Sequence, residues 1–294
     1  MPQVKNLSLF FNNYRGLNTL TYLINKKDLS VKKIYLSKRF LNKKIIKSLN
    51  RLKLSFEIIK SINNSRIINE IKKNQVDLNI LCGFPYILKD KAINSAKLGT
   101  INLHAGKLPN YRGGSPLNWQ IINGEKKIGI SVIKVDKGVD TGPVIRSKDF
   151  KLKNSYNIKK VHEITNNLFP KLTYLSILDV FFNKIPRKKI NKKKSYLYPQ
   201  RNEMDGEINW RKMTNKDVFN FVRAISKPYP GAFTFNSNKE KIKIYECKIS
   251  KKKFKNSYIG RVKKLNSDFF VKTKRGFVKI ISHKGIIKNN EILG

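Results

Sequence analysis

The sequence predicts an α/β protein in which a mostly parallel β-sheet with helices is followed by a small β-barrel domain. Through the amino-terminal half, strand-like runs of β-branched and apolar residues alternate with amphipathic stretches, an order typical of a parallel sheet. The last third holds short, closely spaced segments whose apolar residues alternate with period two, which is typical of a small barrel. The 294 residues are enough for both domains.

The amino-terminal elements follow from local patterns. In the third helical stretch, Ile67, Ile68 and Ile71 fall on one face at helical spacings. Gly83, Phe84 and Pro85 then break the chain after a buried strand, at the end of the sheet where open α/β folds bind ligands. The predicted strands are 7–11, 33–36, 56–59 and 78–82, and the predicted helices lie near 16–25, 41–52 and 64–74.

The later elements set the predicted domain limits. A long helical pattern over 153–185 ends in a basic stretch from Arg187 to Lys194, which we interpret as an exposed connector. We therefore expect a first domain over 1–190, a connector over 191–205 and a carboxyl-terminal domain over 206–294. The remaining predicted strands are 100–104, 129–135, 233–235, 241–245, 258–262, 269–273 and 276–281, and the remaining predicted helices are 116–123 and 216–225.

The composition is strongly basic, with 63 Lys and Arg against 19 Asp and Glu, a formal net charge of +44. This charge indicates either an anionic partner such as nucleic acid or a compositional bias, because Lys accompanies Asn and Ile along the whole chain. Hydrophobic residues make up 40%, which excludes a disordered basic tail. The two cysteines are distant in sequence, so we expect neither disulfides nor a metal site. There is no apolar run of about 20 residues and no leader pattern, so we expect a cytoplasmic protein without membrane contact.

The segment from Thr100 to Ile145 carries the residues suited to catalysis. Asn102 and His104 lie two apart on a strand and so share a face, and the glycines around Asp140 allow a tight loop that presents its carboxylate toward the strand ends. An imidazole accepts a proton near neutral pH, a neighbouring carboxylate supports it, and an amide stabilises a developing oxyanion. Alone, His104 would be interpreted as a structural histidine rather than a catalytic one, but together the three residues indicate acyl transfer.

No covalent acyl-enzyme is expected. The sequence has no Ser in a Gly-x-Ser-x-Gly elbow and no Cys beside a His, so we predict direct attack by an amine of the substrate.

Three ordered motifs in this segment resemble those of the folate-dependent formyltransferases. They read Asn102-Leu-His104, Leu108-Pro-Asn-Tyr-Arg-Gly113 and Gly138-Val-Asp140-Thr-Gly142. The resemblance continues into Asp205-Gly-Glu-Ile-Asn-Trp210 and Pro228-Tyr-Pro-Gly-Ala-Phe233, which look like the connector and second-domain opening of members with an OB-like barrel. It implies a Rossmann-like catalytic domain followed by that barrel.

The resemblance also implies the reaction and the roles of particular residues. A formyl group passes from 10-formyltetrahydrofolate, as co-substrate, to a primary amine, with Asn102, His104 and Asp140 as the catalytic residues. For Phe84 to Tyr86, plugging the end of the sheet is the alternative to cofactor contact. The residues implied in folate binding are Gly83, Phe84, Pro85, Tyr86, Ile87, Leu88, Val135, Asp136 and Gly138.

Two acceptors are compatible with the resemblance: a nucleotide-linked amino sugar and initiator methionyl-tRNA. The sugar is favoured because the first α/β unit lacks room for the basic tRNA-contacting insertion of the tRNA branch. It is also favoured because Arg201 precedes Asp205 and Gly206, where a basic residue meets nucleotide phosphates in the sugar branch. Tyr111 and Arg112 are further substrate-binding candidates. The net charge and the OB-like barrel favour tRNA. A non-enzymatic RNA-binding module is disfavoured because all three catalytic residues are present, and a homodimer is left open.

Overall fold

The computed structural model describes residues 4–186, 191, 195–255 and 257–294, and these form two compact units. The first comprises the chain up to Gly113, Gly129–Phe150 and Glu163–Leu197, and the second comprises Gly114–Ile128, Lys151–His162 and Tyr198–Gly294. The predicted basic stretch from Arg187 to Lys194 and the predicted limit of the first domain at residue 190 lie outside the described residues, except for Asn191.

The first unit is built on a mostly parallel seven-stranded sheet, as predicted, with the strand order β3-β2-β1-β4-β5-β7-β8. β1 pairs in parallel with β2 and β4, and β4 with β5, whereas β5 and β7 are antiparallel. The strands up to this point of the chain are β1 (Lys5–Phe11), β2 (Leu29–Ser37), β3 (Glu57–Ile59), β4 (Leu78–Cys82), β5 (Thr100–His104), β6 (Arg112–Gly113), β7 (Lys127–Lys134) and β8 (Val144–Lys151).

An asparagine caps the start of each of the first three helices. The side chains of Asn13, Asn42 and Asn64 each accept a hydrogen bond from a backbone N–H in the first turn, which satisfies one of the donors that a helix leaves free at its start. The helices are α1 (Tyr14–Leu23), α2 (Lys43–Arg51), α3 (Ser65–Lys73), α4 (Asp90–Ile93), α5 (Pro116–Ile122), α6 (Ile158–Phe181) and α7 (Asn215–Ile225). None of the helices among the described residues is both long and apolar enough to cross a membrane.

A hydrophobic cluster supports the carboxyl ends of the central strands. Phe10 and Tyr35 stack with ring centroids 4.7 Å apart, and α3 contributes Ile67, Ile68 and Ile71, the face that the helical spacing predicts. Phe84 and Val135, which are themselves only partly buried, pack against this cluster. Two segments distant in sequence, one after β4 and one after β7, therefore share one apolar support.

The second unit contains a five-stranded antiparallel sheet with the order β10-β11-β14-β13-β12, which confirms the predicted succession of a parallel α/β part and an antiparallel β part. The predicted strand 258–262 is displaced to β12, because residues 259–260 form a turn in which Gly260 has a φ of 81°. The strands from here on are β9 (Leu197–Tyr198), β10 (Ala232–Phe235), β11 (Lys241–Ser250), β12 (Val262–Leu265), β13 (Asp268–Lys272) and β14 (Phe277–Lys284).

Candidate active site

Strand β5 places Asn102 and His104 at the carboxyl end of the sheet. Both residues pair with β7, where Asn102 lies opposite Ile133 and His104 opposite Ser131. They are two residues apart, so their side chains leave the same face of the sheet. His104 is buried, with 5% of its side chain exposed, whereas Asn102 is partly exposed.

The loop between β7 and β8 delivers Asp140 to the same place. The Asp136 carboxylate accepts hydrogen bonds from the Gly138 N–H at 3.0 Å and the Thr141 hydroxyl at 2.6 Å, and these bonds fold the loop back on itself. Asp140 sits at the turn with a φ of 50°, in the left-handed region that Asp and Asn tolerate better than other side chains. Gly142 is required because a Cβ there would overlap the Lys134 carbonyl oxygen.

Three nitrogen atoms surround the Asp140 carboxylate. Oδ2 lies 3.3 Å from His104 Nδ1 and accepts a hydrogen bond from the Gly113 N–H at 2.9 Å, while Oδ1 accepts one from Asn102 Nδ2 at 3.4 Å. Only 11% of the side chain is exposed. The structure thus brings together the three residues that the sequence predicts to be catalytic. The contribution of Gly113 is not evident from the sequence, because a backbone N–H has no signature in it.

Both ring nitrogens of His104 face oxygen acceptors. Nε2 lies 2.5 Å from the Tyr111 carbonyl oxygen, which only accepts, so Nε2 carries a proton. Nδ1 faces the Asp140 carboxylate, which can accept a hydrogen bond from a proton taken up at this nitrogen. Gly106 makes the arrangement possible, since a Cβ at this position would collide with both His104 Nε2 and the Tyr111 carbonyl oxygen.

Tyr111 and Arg112, the sequence's lesser substrate-binding candidates, are both buried, with 3% and 6% exposed. The Arg112 Nε donates to the Val139 carbonyl oxygen at 3.0 Å, and Nη1 donates to the Ser195 hydroxyl at 2.8 Å. In this structure, Arg112 therefore holds the loop next to Asp140, and Tyr111 contacts His104 through its backbone. Direct contact of either side chain with a substrate stays a prediction.

Arg15 is a supporting residue that the sequence analysis missed. Its Nη1 donates to the Leu103 carbonyl oxygen at 3.0 Å, between the two catalytic candidates on β5, and its guanidinium lies 4.7 Å from the Phe169 ring centroid. The only sequence signal is an Arg just after the first strand, which is too common to single out.

The segments implied in folate binding meet at the cluster that Phe84 and Val135 share. Gly83 has a φ of 65°, which turns the chain sharply out of β4, and Phe84 contacts Phe10 and Tyr86 edge-on at 5.5 and 5.2 Å. Leu88 is buried in the cluster, whereas Ile87 is 76% exposed. This partly exposed apolar surface, edged by backbone groups of two loops, fits a flat heteroaromatic group such as a pterin. The individual contacts stay predictions.

Arg201 lies in the second unit, against aromatic rings. Its guanidinium is 4.8 Å from the Trp119 ring centroid and 5.2 Å from that of Phe221, and it donates to the Asp205 carbonyl oxygen. Its buried Nε has no hydrogen-bond partner among the described residues, and burial lowers the pKa of the side chain. A guanidinium that aromatic rings hold in place, and whose Nε–H lacks an acceptor, is suited to bind an anionic group of a ligand.

Neither cysteine is suited to nucleophilic chemistry. Burial raises the pKa of Cys82 to about 12 and that of Cys247 to about 12, which keeps both thiols protonated and inert. Among the residues that the structure describes, no cluster of three or more His, Cys, Asp or Glu side chains is arranged to hold a metal ion.

Comparison with known families identifies the class of protein. The model described as "Formyl transferase" matches residues 32–173, and "Formyl transferase, C-terminal domain" matches residues 202–289. These matches span most of the chain, which therefore belongs to the formyltransferase family. The resemblance carried by the three motifs is confirmed.

Two named relatives align with most of this chain. The chain is 34% identical over 221 residues to the methionyl-tRNA formyltransferase of Fusobacterium nucleatum, which covers 74% of this chain and 70% of the relative. It is also 34% identical over 195 residues to the bifunctional polymyxin resistance protein ArnA of Wigglesworthia glossinidia brevipalpis, covering 64% of this chain and 28% of that protein.

Solved structures share the fold at low sequence identity. WlaRD, a sugar 3N-formyltransferase crystallised with dTDP and 5-N-formyl-THF, superposes with a TM-score of 0.68 at 18% identity, covering 97% of this chain and 99% of WlaRD. The N-formyltransferase of Helicobacter canadensis, in complex with folinic acid and dTDP-3-aminofucose, gives a TM-score of 0.67 at 20% identity, covering 96% and 100%.

Proposed function

We propose that this formyltransferase transfers the formyl group of 10-formyltetrahydrofolate to the amine of a nucleotide-linked amino sugar. The donor is supported by the shared apolar surface at Phe84 and Val135 and by the folates bound to the structural relatives. When bound, 10-formyltetrahydrofolate supplies an electrophilic formyl carbon. The proposal keeps the cytoplasmic location and the domain limits at 190 and 205 that the sequence predicts.

The observation that carries the chemistry is the convergence of Asn102, His104 and Asp140. His104 Nδ1 lies 3.3 Å from the Asp140 carboxylate, so this pair is suited to take up the proton that the amine loses as it attacks, and to return it to the tetrahydrofolate nitrogen as its bond to the formyl carbon breaks. The Asn102 amide uses one N–H toward Asp140 and has a second, which we assign to the oxyanion that develops on the formyl group. The burial of His104 excludes bulk water from this exchange.

The acceptor assignment depends on the connection between β2 and α2. It consists of residues 38–42, with Asn42 already serving as the cap of α2, so this connection has no room for a long basic insertion that would grip tRNA. A small acceptor is the better match to such a short loop.

Arg201 supports the nucleotide part of the acceptor. The Trp119 and Phe221 rings restrict its guanidinium, and its unsatisfied buried Nε would gain a partner from a phosphate oxygen. Because an unmade buried hydrogen bond is unfavourable, a bound diphosphate would be stabilised by completing it.

Initiator methionyl-tRNA is the second candidate acceptor, and two observations favour it. The sequence identity to the methionyl-tRNA formyltransferase of Fusobacterium nucleatum is 34%, above the 18–20% to the sugar enzymes named above, and the formal net charge is +44. A chain of this charge binds polyanions, so binding to tRNA by itself does not identify the acceptor.

The deciding experiment measures formylation of several nucleotide-linked amino sugars and of methionyl-tRNA side by side, with 10-formyltetrahydrofolate as donor. We expect turnover on at least one sugar nucleotide and little or none on the tRNA. Raising the salt from about 50 to about 200 mM should change sugar turnover only slightly, whereas tRNA binding through about six phosphates would weaken by roughly 10³-fold. Efficient, salt-sensitive tRNA formylation without sugar formylation would overturn the proposal.

A further inference from the structure

A pocket of about 750 Å³ lies in the second unit, lined by residues of α7 and β11. The segment 154–157, which precedes α6, contributes a third wall. We call it the α7–β11 pocket. Its volume is within the usual range for sites that bind small molecules. None of its lining residues belongs to the catalytic candidates or to the segments implied in folate binding, so it is a separate feature of the fold.

The pocket and the expected phosphate contact of Arg201 lie on different faces of α7. Phe219, Val222 and Arg223 are three or four residues apart, so they share the face of the helix that lines the pocket. Phe221, whose ring centroid lies 5.2 Å from the Arg201 guanidinium, is two residues from both ends of this set. At 3.6 residues per turn, that spacing puts it on the opposite side of the helix. A ligand in the pocket would therefore not occupy the nucleotide site.

Arg223 brings a positive charge without a countercharge to the pocket. Its Nε and Nη2 donate to the Asn220 amide oxygen at 3.1 and 2.8 Å, and its Nη1 donates to the carbonyl oxygens of Lys153 and Tyr156 at 3.0 and 3.3 Å. These acceptors are all neutral, and they leave one N–H of Nη2 without an acceptor among the described residues. Burial lowers the pKa of the side chain, and no carboxylate in the described part of the chain offsets this effect. A partly buried cation in this state favours an anionic ligand.

Three aromatic side chains lie beside this charge. The Phe219 ring centroid is 4.8 Å from the Arg223 guanidinium. Tyr156 belongs to the segment before α6, and Tyr245 belongs to β11, where it has no partner on β14 because the register shifts there. Irregularities of this kind re-aim a side chain from its regular position. Neither tyrosine hydroxyl has a hydrogen-bond partner among the residues that the structure describes, so both can bond to a ligand.

The charge of the lining indicates which kind of anion fits. The lining contains two basic residues, Arg223 and Lys248, and one acidic residue, Glu246, which gives a net charge of +1. This charge matches a carboxylate, a monoanion at neutral pH, better than a phosphate monoester, which carries nearly two negative charges and three acceptor oxygens. A carboxylate oxygen also needs only the one N–H that Arg223 has left.

We propose that the α7–β11 pocket binds a small aromatic carboxylate. Its carboxylate accepts a hydrogen bond from Arg223 Nη2, and its ring packs against the aromatic side chains. Val222 and Cys247, which are both buried, complete the apolar part of the lining. This site goes beyond the proposed function, because it depends neither on the folate donor nor on the acceptor.

The test is a titration of the full chain with 2-naphthoate, followed by NMR of the ligand. Folinic acid is present at saturation so that the folate site is occupied. A ligand of this size should bind with a dissociation constant on the order of 1 mM. 2-Naphthamide has the same rings but no charge, and it should bind at least about 10-fold more weakly because the charge-assisted hydrogen bond is lost.

Two variants test the pocket by independent means, with melting temperatures measured on the same samples. Arg223→Gln removes the charge and should weaken 2-naphthoate binding at least about 10-fold. Ser155→Trp fills the pocket from an exposed position, so it should abolish binding without disturbing the core. The matched control is Arg201→Ala, which removes another guanidinium that lies over aromatic rings, on the other side of α7. It should leave the dissociation constant within about twofold.

Several results would overturn the proposal. These are no binding of 2-naphthoate, equal affinity for 2-naphthamide, and unchanged affinity in Ser155→Trp or in a folded Arg223→Gln. Tighter binding of 2-naphthyl phosphate than of 2-naphthoate would reject the carboxylate in favour of a phosphate ligand. Loss of binding in Arg201→Ala would place the probe at the nucleotide site instead. None of these measurements involves formyl transfer, so the outcome is independent of the acceptor assignment.

Discussion

Replacement of Asp140 by Asn is the sharpest test of the candidate catalytic residues. The Asp140 carboxylate is 3.3 Å from His104 Nδ1 and only 11% exposed. At that separation, a carboxylate and an imidazolium attract each other by about 5 kcal/mol for an effective dielectric constant of about 20. If about half of this attraction stabilises the transition state, Asp140→Asn lowers kcat by roughly 10²-fold, since 1.36 kcal/mol corresponds to a factor of ten.

The assay is kcat at saturating donor and acceptor, with the melting temperature measured on the same samples. Asn keeps the shape of Asp and tolerates the φ of 50°, so the fold should persist. Asp140→Ala removes the same charge but adds the strain of a left-handed alanine, about 1–2 kcal/mol, so it should also melt at a lower temperature. Asp149→Asn is the matched control, because Asp149 lies on β8 paired with Lys107 at 3.6 Å and is 37% exposed. A kcat close to that of the unmodified enzyme for Asp140→Asn would refute the assigned role.

The remaining predictions concern four other residues. His104→Ala should reduce kcat by at least about 10²-fold while folinic acid still binds, and near-normal turnover would remove His104 from catalysis. Asn102→Ala should lower kcat on the same scale, because the oxyanion exists only along the reaction path; an effect confined to KM argues against this role. Arg201→Ala should weaken binding of a nucleoside diphosphate in a titration without abolishing transfer, and unchanged affinity for every nucleotide tested would exclude the phosphate contact. Gly106→Ala should lower both kcat and the melting temperature, because the new Cβ collides with His104 Nε2 and the Tyr111 carbonyl oxygen. The free energy of unfolding should fall by about 1–3 kcal/mol. An unaffected variant would show that the contact between His104 and Tyr111 is not needed.

The convergence of the three catalytic candidates was predictable because it depends on short-range rules. Residues that lie two positions apart on a strand share a face of the sheet. A loop with glycines at both ends can return a carboxylate to the end of the strand. The structure adds the cause: the Asp136 side chain closes the loop on the Gly138 N–H and the Thr141 hydroxyl.

Features that depend on long-range contacts could not be predicted from the sequence. Helix α5 begins at Pro116, as the predicted helix 116–123 does. Ser115, however, has a φ of 47° and makes no side-chain cap; its hydroxyl accepts hydrogen bonds from the Gln200 side chain and the Arg201 N–H. Residues 85 positions away decide this conformation, and local propensity does not contain them. The burial of Arg112 was missed for the same reason, since its partner Ser195 is equally remote in sequence.

The basic composition has a structural use that does not involve nucleic acid. Lys26 lies over the Tyr22 ring at 4.5 Å and the Tyr174 ring at 4.9 Å, and Lys241 lies over the Phe233 ring at 3.9 Å. In such contacts the aliphatic stem covers apolar surface while the ammonium meets the ring and the solvent. Such contacts occur in both units, with Lys26 in the first and Lys241 in the second, so part of the positive charge is used in packing within the fold.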